Sequence, residues 1–378
     1  MRPEVASAVE AAIDALGALD PADAFDPGAP AAIVAAGVHR LCVPAEAGGF
    51  GATLAESAEV LAAIGAVDGS TALGLAMQTH VVGAMRDSAS FSPAVRAQLY
   101  AAIVDEGALV NNAATEEGGG SPARGAIPGT VATGSDAAGW HLRGEKTWTT
   151  WLPALRYAFV TAQLTGPGEE AASREVGTFL VDLAAADGVD RQPAFAALGM
   201  RGSASGRLIL DGTPGVLVQR RPAGGPDPRG AAPGTWFAIA VGAAYLGVGE
   251  GARSAVARWA LDRRPGDGSS AVADIPTVQL RLGRLDADLR TARIVVLDAA
   301  RRWDASGDGG DAALAKLVAT RAAAAATDEA LRIAGGPGFL AGPLERAFRD
   351  ARAGLINPPL EDVALLGFGR AVLDRERR

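Results

Sequence analysis

Cysteine and histidine are scarce in this chain, which has one cysteine, Cys42, and three histidines among 378 residues. A single thiol cannot form an intrachain disulfide, and His39, His80 and His141 are too scattered to resemble the clustered Cys/His ligands that hold zinc. We therefore expect no metal site, and we expect the protein to work in the reducing cytoplasm.

A long unbroken apolar run and an excess of positive charge are also missing. The most apolar stretch, residues 236–248, is interrupted by glycine and falls short of the ~20 residues that a spanning helix needs. The N-terminus alternates charged with apolar residues, unlike a signal peptide. The formal charge is −8, whereas nucleic acids and anionic membranes attract clustered basic residues. We expect neither as a partner.

The chain does have enough apolar material to fold throughout. Hydrophobic residues make up 49% and charged residues 21% of its 378 residues, which is ordinary globular composition and enough length for two or three compact units. Residues 1–108 show helical periodicity, and Thr53 and Glu56 have the spacing of a capping box. We predict an N-terminal helical domain there.

The period of the apolar residues changes between residues 109 and 220. Short apolar runs that begin at Trp140, Tyr157 and Thr178 are separated by Gly, Pro and Asp, as strands are separated by turns. This pattern predicts a middle β domain, shaped as a small sheet or barrel. The Pro- and Gly-rich residues 221–234 then predict a linker or an exposed crossover.

Helical periodicity returns after residue 234. One apolar stripe steps by three and four residues along a long helix; its members are Leu282, Leu285, Leu289, Ala292, Val296 and Ala299. A second long helix is predicted from Asp311 to Ile333. These segments predict a C-terminal helical bundle, and the whole chain is predicted to have an α+β fold in the order α, β, α.

Three glycine clusters have the composition of phosphate-binding loops. Residues 247–251 (GVGEG) lie in the middle of a predicted helix rather than after a strand, so close helix packing is the better interpretation. Residues 115–121 (TEEGGGS) offer backbone N–H groups and a serine hydroxyl, although a flexible turn explains them as well. Residues 335–338 (GGPG) follow a long helix and, taken alone, are best interpreted as a helix stop.

These clusters belong to an ordered series of motifs that resembles the acyl-CoA dehydrogenase family over nearly the whole chain. The matching segments are VPAEAGGFG (43–51), DGSTA (68–72), ATEEGGGS (114–121), GEKTWTT (144–150), LGMRGS (198–203), DRRP (262–265), Gln279, GGPGF (335–339) and RDAR (349–352). Each segment is weakly specific by itself. Their order makes the resemblance specific.

The resemblance implies a fold, a cofactor and partners. It implies an N-terminal α-helical domain (1–108), a middle β-barrel domain (109–220) and a C-terminal four-helix bundle (221–378), assembled as a homodimer or homotetramer whose FAD site draws on two subunits. The implied reaction is oxidation of the α,β C–C bond of an acyl thioester. Electrons would then pass to an electron-transfer flavoprotein.

The resemblance also implies which residues bind FAD on the barrel side. Trp148 and Thr150 stand two residues apart on a predicted strand and so should project to one face. Trp148 would cover the isoalloxazine ring and Thr150 would bond its edge, while Thr115 would serve the ring and Ser121 the pyrophosphate. The alternative for Trp148 is an aromatic residue of the β core.

Four further residues would bind FAD on its adenine side. Arg263 would reach a phosphate, across the subunit boundary as the family implies, with a solvated helix-end residue as the alternative. Gln279, Gly335 and Gly336 would complete this side through a side-chain amide and open backbone. Arg332 departs from the family, which usually has glutamine there.

The catalytic base departs further from the family pattern. In most members a glutamate that takes the α-proton lies shortly after the RDAR segment, where this chain has Pro358. Other members carry it on the first bundle helix, where this chain has Phe237. Neither side chain can accept a proton. Glu361 and Asp362 are the remaining candidates, with an exposed helix start as the alternative for both.

Relatives without the glutamate include two-component flavin-dependent monooxygenases, in which a partner flavin reductase supplies reduced FMN or FAD. His80, on a helix predicted from Leu73 to Met85, is then a candidate near the substrate, with a packed core histidine as the alternative. Ser203 and Ser205 are candidate flavin or substrate contacts. We rank acyl thioester oxidation first, a monooxygenase acting on a non-thioester substrate second, and a non-catalytic flavin- or acyl-binding subunit last.

Overall fold

The computed structural model describes residues 1–19, 23–118, 126–166, 175–192, 194–266 and 268–377. The chain opens with five helices, as its periodicity predicts: α1 Pro3–Gly17, α2 Gly28–Ala35, α3 Leu54–Gly65, α4 Gly69–Arg86 and α5 Pro93–Glu106. Helix α4 is buried from Gly69 to Met85, because it packs against α3, α6 and β1. Side chains on α4 therefore line the interior of the molecule on several sides.

Helix α3 begins where its sequence predicts. The Thr53 hydroxyl accepts a hydrogen bond from the backbone N–H of Glu56 at 3.2 Å, which satisfies one of the free donors of the first turn. The Glu56 carboxylate does not complete a capping box; it forms an ion pair with Arg2 instead. Of the two hydrogen bonds of the predicted capping box, only the one accepted by the Thr53 hydroxyl is confirmed.

Seven strands follow: β1 Val110–Ala113, β2 Val131–Ser135, β3 Gly139–Thr149, β4 Tyr157–Thr165, β5 Glu175–Asp182, β6 Val189–Arg191 and β7 Gly206–Pro222. Their order is β1, β4, β2, β3, β7, β5, and β5 pairs again with β4, so that five strands close into a barrel. β1 adds a parallel strand beside β4, and β6 pairs with β7. The predicted β-barrel is confirmed.

The C-terminal helices are α6 Ala232–Asp262, α7 Pro276–Ser306, α8 Ala312–Ala334, α9 Pro343–Ile356 and α10 Glu361–Glu376. The first four pack together as a bundle, and α10 contacts α8. The predicted apolar stripe of α7 is buried, apart from the partly exposed Leu282. The α+β fold with helical regions at both ends and a central sheet domain is confirmed.

Helix α6 packs unusually close to its neighbours. A Cβ atom at Gly247 would lie 2.3 Å from the Ala62 carbonyl oxygen, and one at Gly249 would lie 2.9 Å from the Ala323 Cα atom. The glycines of residues 247–251 therefore serve helix packing, as predicted. α6 is long and apolar enough to cross a bilayer by length and composition, but 83% of its most apolar window is buried inside the protein.

Residues 221–234 contain the predicted connection within narrower bounds. β7 continues to Pro222 and α6 begins at Ala232, so a shorter segment connects them. Its residues alternate between half-buried and exposed, and it lines one side of a cavity. The composition predicted a break in regular structure but gave no information about what the segment covers.

Candidate active site

A β-bulge ends strand β3 and turns Trp148 outward. Lys146 pairs with Leu208 and Thr149 with Gly206, so two residues of β3 lie opposite one residue of β7. Trp148 has a left-handed φ of 56° and is 53% exposed, whereas Thr150 is 5% exposed. The prediction that Trp148 and Thr150 share one face of a regular strand is wrong, because the bulge breaks the alternation and the strand ends at Thr149.

The Trp148 ring offers an open apolar surface. Phe195 packs against it with ring centroids 4.7 Å apart and the planes tilted by 44°, which supports the indole in one orientation. Thr115 lies beside this bulge, because its carbonyl accepts a hydrogen bond from the Thr147 N–H at 2.8 Å. An exposed indole of this kind is suited to stacking on a planar ring. Ser121, the predicted pyrophosphate ligand, lies outside the described residues.

Three hydroxyl groups gather next to the bulge. The Thr150 and Ser205 hydroxyls are 3.0 Å apart, and those of Ser205 and Ser203 are also 3.0 Å apart. On either side of Thr150, the Thr149 hydroxyl and the Trp151 indole N–H are buried without a hydrogen-bond partner among the described residues. Both groups are enclosed, and the Trp151 indole packs against Gly74 of α4, so neither faces a ligand site. The hydroxyl cluster itself supplies polar groups of the kind that bond the edge of a flavin.

A cavity of about 390 Å³ has Asn112 of β1 in its wall. The preceding residue of this strand, Asn111, donates from its side chain to the Thr150 carbonyl at 3.1 Å, so β1 contributes a residue to each region. The walls of the cavity come from α4, the barrel, the connection before α6, the start of α6 and the loop after α9. Its lining residues are mostly apolar and include Val81, Ala84, Met85, Phe91, Phe159, Pro233, Phe237 and Pro358.

His80 lines the cavity from α4. Its ring meets Phe237 edge-on, with centroids 5.1 Å apart, and its Nδ1 atom has no hydrogen-bond partner among the described residues. Burial lowers the pKa of His80 to about 4, and the positive charge of Arg229 acts in the same direction. His80 is therefore neutral at physiological pH, and it can offer a hydrogen bond without bringing a charge into the cavity.

The two positions to which the resemblance assigns the catalytic carboxylate, Pro358 and Phe237, are both part of the cavity wall. The one carboxylate among the described lining residues is Asp227, whose two oxygens accept from Arg229 Nε and Nη2 at 2.9 and 2.7 Å. Burial would raise the pKa of Asp227, but Arg229 holds it below its usual value. A carboxylate bound in this way is a poor proton acceptor.

Glu361 does not line the cavity. It is the first residue of α10 and forms an ion pair with Arg321, which keeps the Glu361 pKa below its usual value. Asp362 is exposed. Both side chains have the environment of a solvated helix start, where acidic residues complement the helix dipole. The geometry gives no support to either as a base acting in this cavity.

A buried lysine that the sequence analysis did not single out fixes the loop containing Pro358. Lys316 Nζ donates to the carbonyls of Gly354, Asn357 and Pro359 at 2.8, 2.7 and 3.3 Å, and Asn357 donates to the Tyr245 hydroxyl at 2.8 Å. The composition contains one signal that could have identified Lys316, because only two of the 35 basic residues are lysines. Both of them, Lys146 and Lys316, are buried.

The residues predicted to bind the adenine side lie at the far end of the bundle. Arg263 follows Phe237 by 26 positions, roughly 39 Å along a helix at a rise of 1.5 Å per residue. One small core cluster lies beneath three of these residues. It contains Ala260, Val278 and the partly buried Ile333, which are close in sequence to Arg263, Gln279 and Gly335 respectively.

Arg263, Gln279, Gly335 and Gly336 are all exposed. Gly335 ends α8 with a φ of 61°, as a helix stop does. Arg332 forms an ion pair with Asp328 on the same helix. Within one chain, the predicted adenine-side residues thus lie far along the bundle from the cavity residue Phe237.

Comparison with known proteins agrees with this architecture. Residues 111–213 match the model of the acyl-CoA dehydrogenase middle domain, and residues 235–357 match that of the C-terminal domain. The chain is 32% identical over 338 residues to "Putative acyl-CoA dehydrogenase YdbM" of Bacillus subtilis (strain 168), covering 87% of this chain and 85% of the relative. This chain belongs to the acyl-CoA dehydrogenase family.

Solved structures in the family show the same fold with different activities in their names. A nitrososynthase from Micromonospora carbonacea var. africana aligns with a TM-score of 0.81 at 25% identity, over 98% of this chain and 97% of the other. Butyryl-CoA dehydrogenase from Megasphaera elsdenii aligns with a TM-score of 0.84 at 19% identity, over 99% of each chain. The acyl-CoA dehydrogenase family consists of flavin-dependent oxidoreductases, and the family alone does not select the reaction.

Proposed function

We propose that this protein is a flavin-dependent monooxygenase built on the acyl-CoA dehydrogenase fold. It would use reduced FMN or FAD delivered by a flavin reductase, and its substrate would be a small molecule that is not a thioester. The observation that carries this proposal is the cavity wall, where both family positions for the catalytic carboxylate hold side chains, Pro358 and Phe237, that cannot take a proton.

Thioester oxidation needs a strong proton acceptor against the substrate. Removal of an α-proton by a carboxylate requires that carboxylate within hydrogen-bond reach of the reacting carbon. Asp227 is tied to Arg229 and Glu361 to Arg321, so each is engaged elsewhere. This reverses the order of preference that the sequence alone suggested.

An oxygenase makes different demands on this cavity. A bound reduced flavin would supply the electrons that activate dioxygen, and the protein would have to keep water out and orient the substrate. Phe91, Phe159 and Phe237 give the cavity wall an apolar surface that would disfavour water, and a dry site prevents unproductive side reactions. His80 and Asn112 are the uncharged polar side chains of the lining that would orient a substrate heteroatom by hydrogen bonding; the charged lining residues are Arg221, Asp227 and Arg229.

The barrel side would hold the flavin ring. Trp148 would stack on it, and the hydroxyls of Thr150, Ser203 and Ser205, which lie within 3.0 Å of one another in series, would bond its edge. Thr115, placed next to the bulge, would contact the ring from the glycine-rich segment.

Oligomer formation fits the exposure of the predicted adenine-side residues. Arg263, Gln279, Gly335 and Gly336 would act on the adenine portion of an FAD bound to a second subunit, in a homodimer or homotetramer. This arrangement is needed for FAD but not for FMN, which lacks the adenosine portion. The choice between the two flavins therefore depends on the assembly.

Oxidation of an acyl thioester is the second candidate, favoured by the family and by the name of the Bacillus subtilis relative. It would require Glu361 or another acid to enter the cavity, and its electron acceptor would be an electron-transfer flavoprotein. Glu361 would first have to leave its ion pair with Arg321 and move towards Pro358.

The two candidates differ in what reduces the flavin. In the first assay, protein loaded with oxidised FAD or FMN is mixed without oxygen with acyl-CoAs of several chain lengths, and the flavin absorbance is followed. The second assay supplies reduced flavin and oxygen with a panel of small aromatic sulfides, amines and phenols. We expect product only in the second; bleaching by any acyl-CoA would establish the dehydrogenase instead.

A further inference from the structure

The described part of the glycine-rich segment, residues 115–118, is anchored beside Trp148 by a buried ion pair. Lys146 is 0% exposed and donates from Nζ to a Glu116 carboxylate oxygen. Thr161 lies 3.4 Å from the same nitrogen. A buried charge without a partner is strongly unfavourable, so each member of the pair requires the other.

Glu116 also joins two chain segments through hydrogen bonds. Besides Lys146, its carboxylate accepts from the Gly129 N–H at 2.5 Å, the Thr130 N–H at 3.0 Å and the Thr130 hydroxyl at 2.7 Å. Four donors from three residues saturate the carboxylate. Glu116 is thereby unavailable as a general base, and it ties residue 116 to residues 129 and 130.

Gly144 of strand β3 allows Thr130 to pack closely against the strand. At Gly144 the φ is 152°, and a Cβ atom there would lie 2.6 Å from the Thr130 hydroxyl and 2.7 Å from its Cα atom. Only glycine allows Thr130 to approach the strand so closely. Two residues further along β3 comes Lys146, and the next N–H, that of Thr147, holds the Thr115 carbonyl.

We propose that Glu116 and Lys146 are positioning residues of the flavin site. Lys146 binds Glu116 with its side chain while the adjoining Thr147 binds Thr115 through the backbone, so the pair sets where Thr115 lies relative to the Trp148 ring. Neither side chain touches the flavin in this arrangement. The proposal rests on the flavin site described above and deepens it.

The side-chain type at residue 146 agrees with this role. The chain uses arginine for 33 of its 35 basic residues and lysine for two. An ammonium group is compact and can direct its three donors freely, whereas a guanidinium is a wide planar fork. The space around Lys146 is fully enclosed, so only the compact group can reach Glu116 there.

The test is direct titration of the protein with FMN and with FAD, followed by flavin fluorescence. We expect Glu116→Gln and Lys146→Met each to raise the flavin Kd at least about tenfold in folded protein, because a displaced contact residue loses affinity steeply with distance. The double variant, which contains no unpaired charge, should remain impaired because the ties to residues 129 and 130 are weakened. Lys146→Arg should not rescue binding.

Lys316→Met is the matched control. It removes the other buried lysine, and it should lower thermal stability while leaving the flavin Kd within about twofold of the wild type, since Lys316 holds the loop on the cavity side. Arg143→Gln, which removes an exposed ion pair on the same strand, should leave both quantities unchanged.

Two results would overturn the proposal. One is an unchanged Kd in Glu116→Gln and Lys146→Met variants whose circular dichroism is native. The other is an equal rise of Kd in Lys316→Met, which would assign the loss to general destabilisation. If the Glu116 and Lys146 variants do not fold, Thr130→Val decides: it removes one donor to Glu116, and a Kd equal to that of the wild type contradicts the proposal. A wild-type protein that binds neither flavin would refute the proposed function itself.

Discussion

The two lysines of this protein are both buried but are held in different ways. Lys146, on β3 next to the bulge, faces the full negative charge of Glu116. Lys316, on α8 beside the cavity loop, donates to carbonyl oxygens at the end of α9, where the helix dipole also favours a cation. The region around Lys146 therefore depends on a pair of charges in contact, whereas the region around Lys316 depends on neutral acceptors.

Removal of Lys146 and removal of Lys316 should therefore have different effects on stability. Burial lowers the pKa of both lysines. For Lys146 the Glu116 carboxylate opposes that effect at close contact, while for Lys316 the opposing charge is Glu361, which is itself paired with Arg321. Removing one lysine leaves a stranded carboxylate; removing the other leaves only unsatisfied carbonyls.

The largest expected effect is on the free energy of unfolding of the two Lys→Met variants. Lys146→Met should cost about 3–5 kcal/mol, because it leaves the Glu116 charge without its partner. Lys316→Met should cost about 1–3 kcal/mol, because it leaves neutral acceptors unsatisfied. Urea denaturation of both variants measures the comparison, and a reversed order would contradict it.

Acidification should lower the free energy of unfolding through His80, which lines the cavity. Its folded pKa of about 4 lies below the unfolded value, so stability is lost as the pH falls below about 6.5, when the unfolded chain takes up the proton first. Between pH 7 and pH 5 the wild type should lose about 2 kcal/mol more than His80→Gln. Equal losses in both proteins would mean that His80 has an ordinary pKa.

Alkaline conditions should have a smaller and opposite effect through Lys316. Burial lowers its folded pKa to about 8, so the folded protein releases this proton before the unfolded chain does, and stability rises with pH above that value. From pH 7.5 to pH 9 the wild type should gain about 1 kcal/mol relative to Lys316→Met. No relative gain in paired urea titrations would show that Lys316 keeps its proton.

The smallest effect is expected at Glu361. Glu361→Gln removes an ion pair that lies at the surface, where such pairs contribute little, and the proposed oxygenase has no use for this carboxylate. Turnover in the oxygenase assay should stay within about twofold of the wild type. A loss of acyl-CoA-dependent flavin bleaching in this variant would instead identify Glu361 as a base.

The fold was largely predictable because its patterns are local. The apolar stripe of α7, the cap at Thr53 and the mid-helix glycines of α6 each follow from residues a few positions apart, and each is confirmed. The prediction for Trp148 and Thr150 was wrong for the opposite reason. A β-bulge is set by the pairing of β3 with β7, some sixty residues away in sequence, and the strand alternation alone cannot reveal it.

By itself the sequence determined the α, β, α order, the membership of the flavoenzyme family and the absence of a usable acid at Pro358 and Phe237. Only the tertiary structure decided that these two residues line one cavity with His80, that Glu361 points to Arg321, and that both lysines are enclosed. Periodicity and motifs depend on neighbours along the chain. Burial, ion pairing and cavity shape depend on residues that meet only after the helices and the barrel have packed.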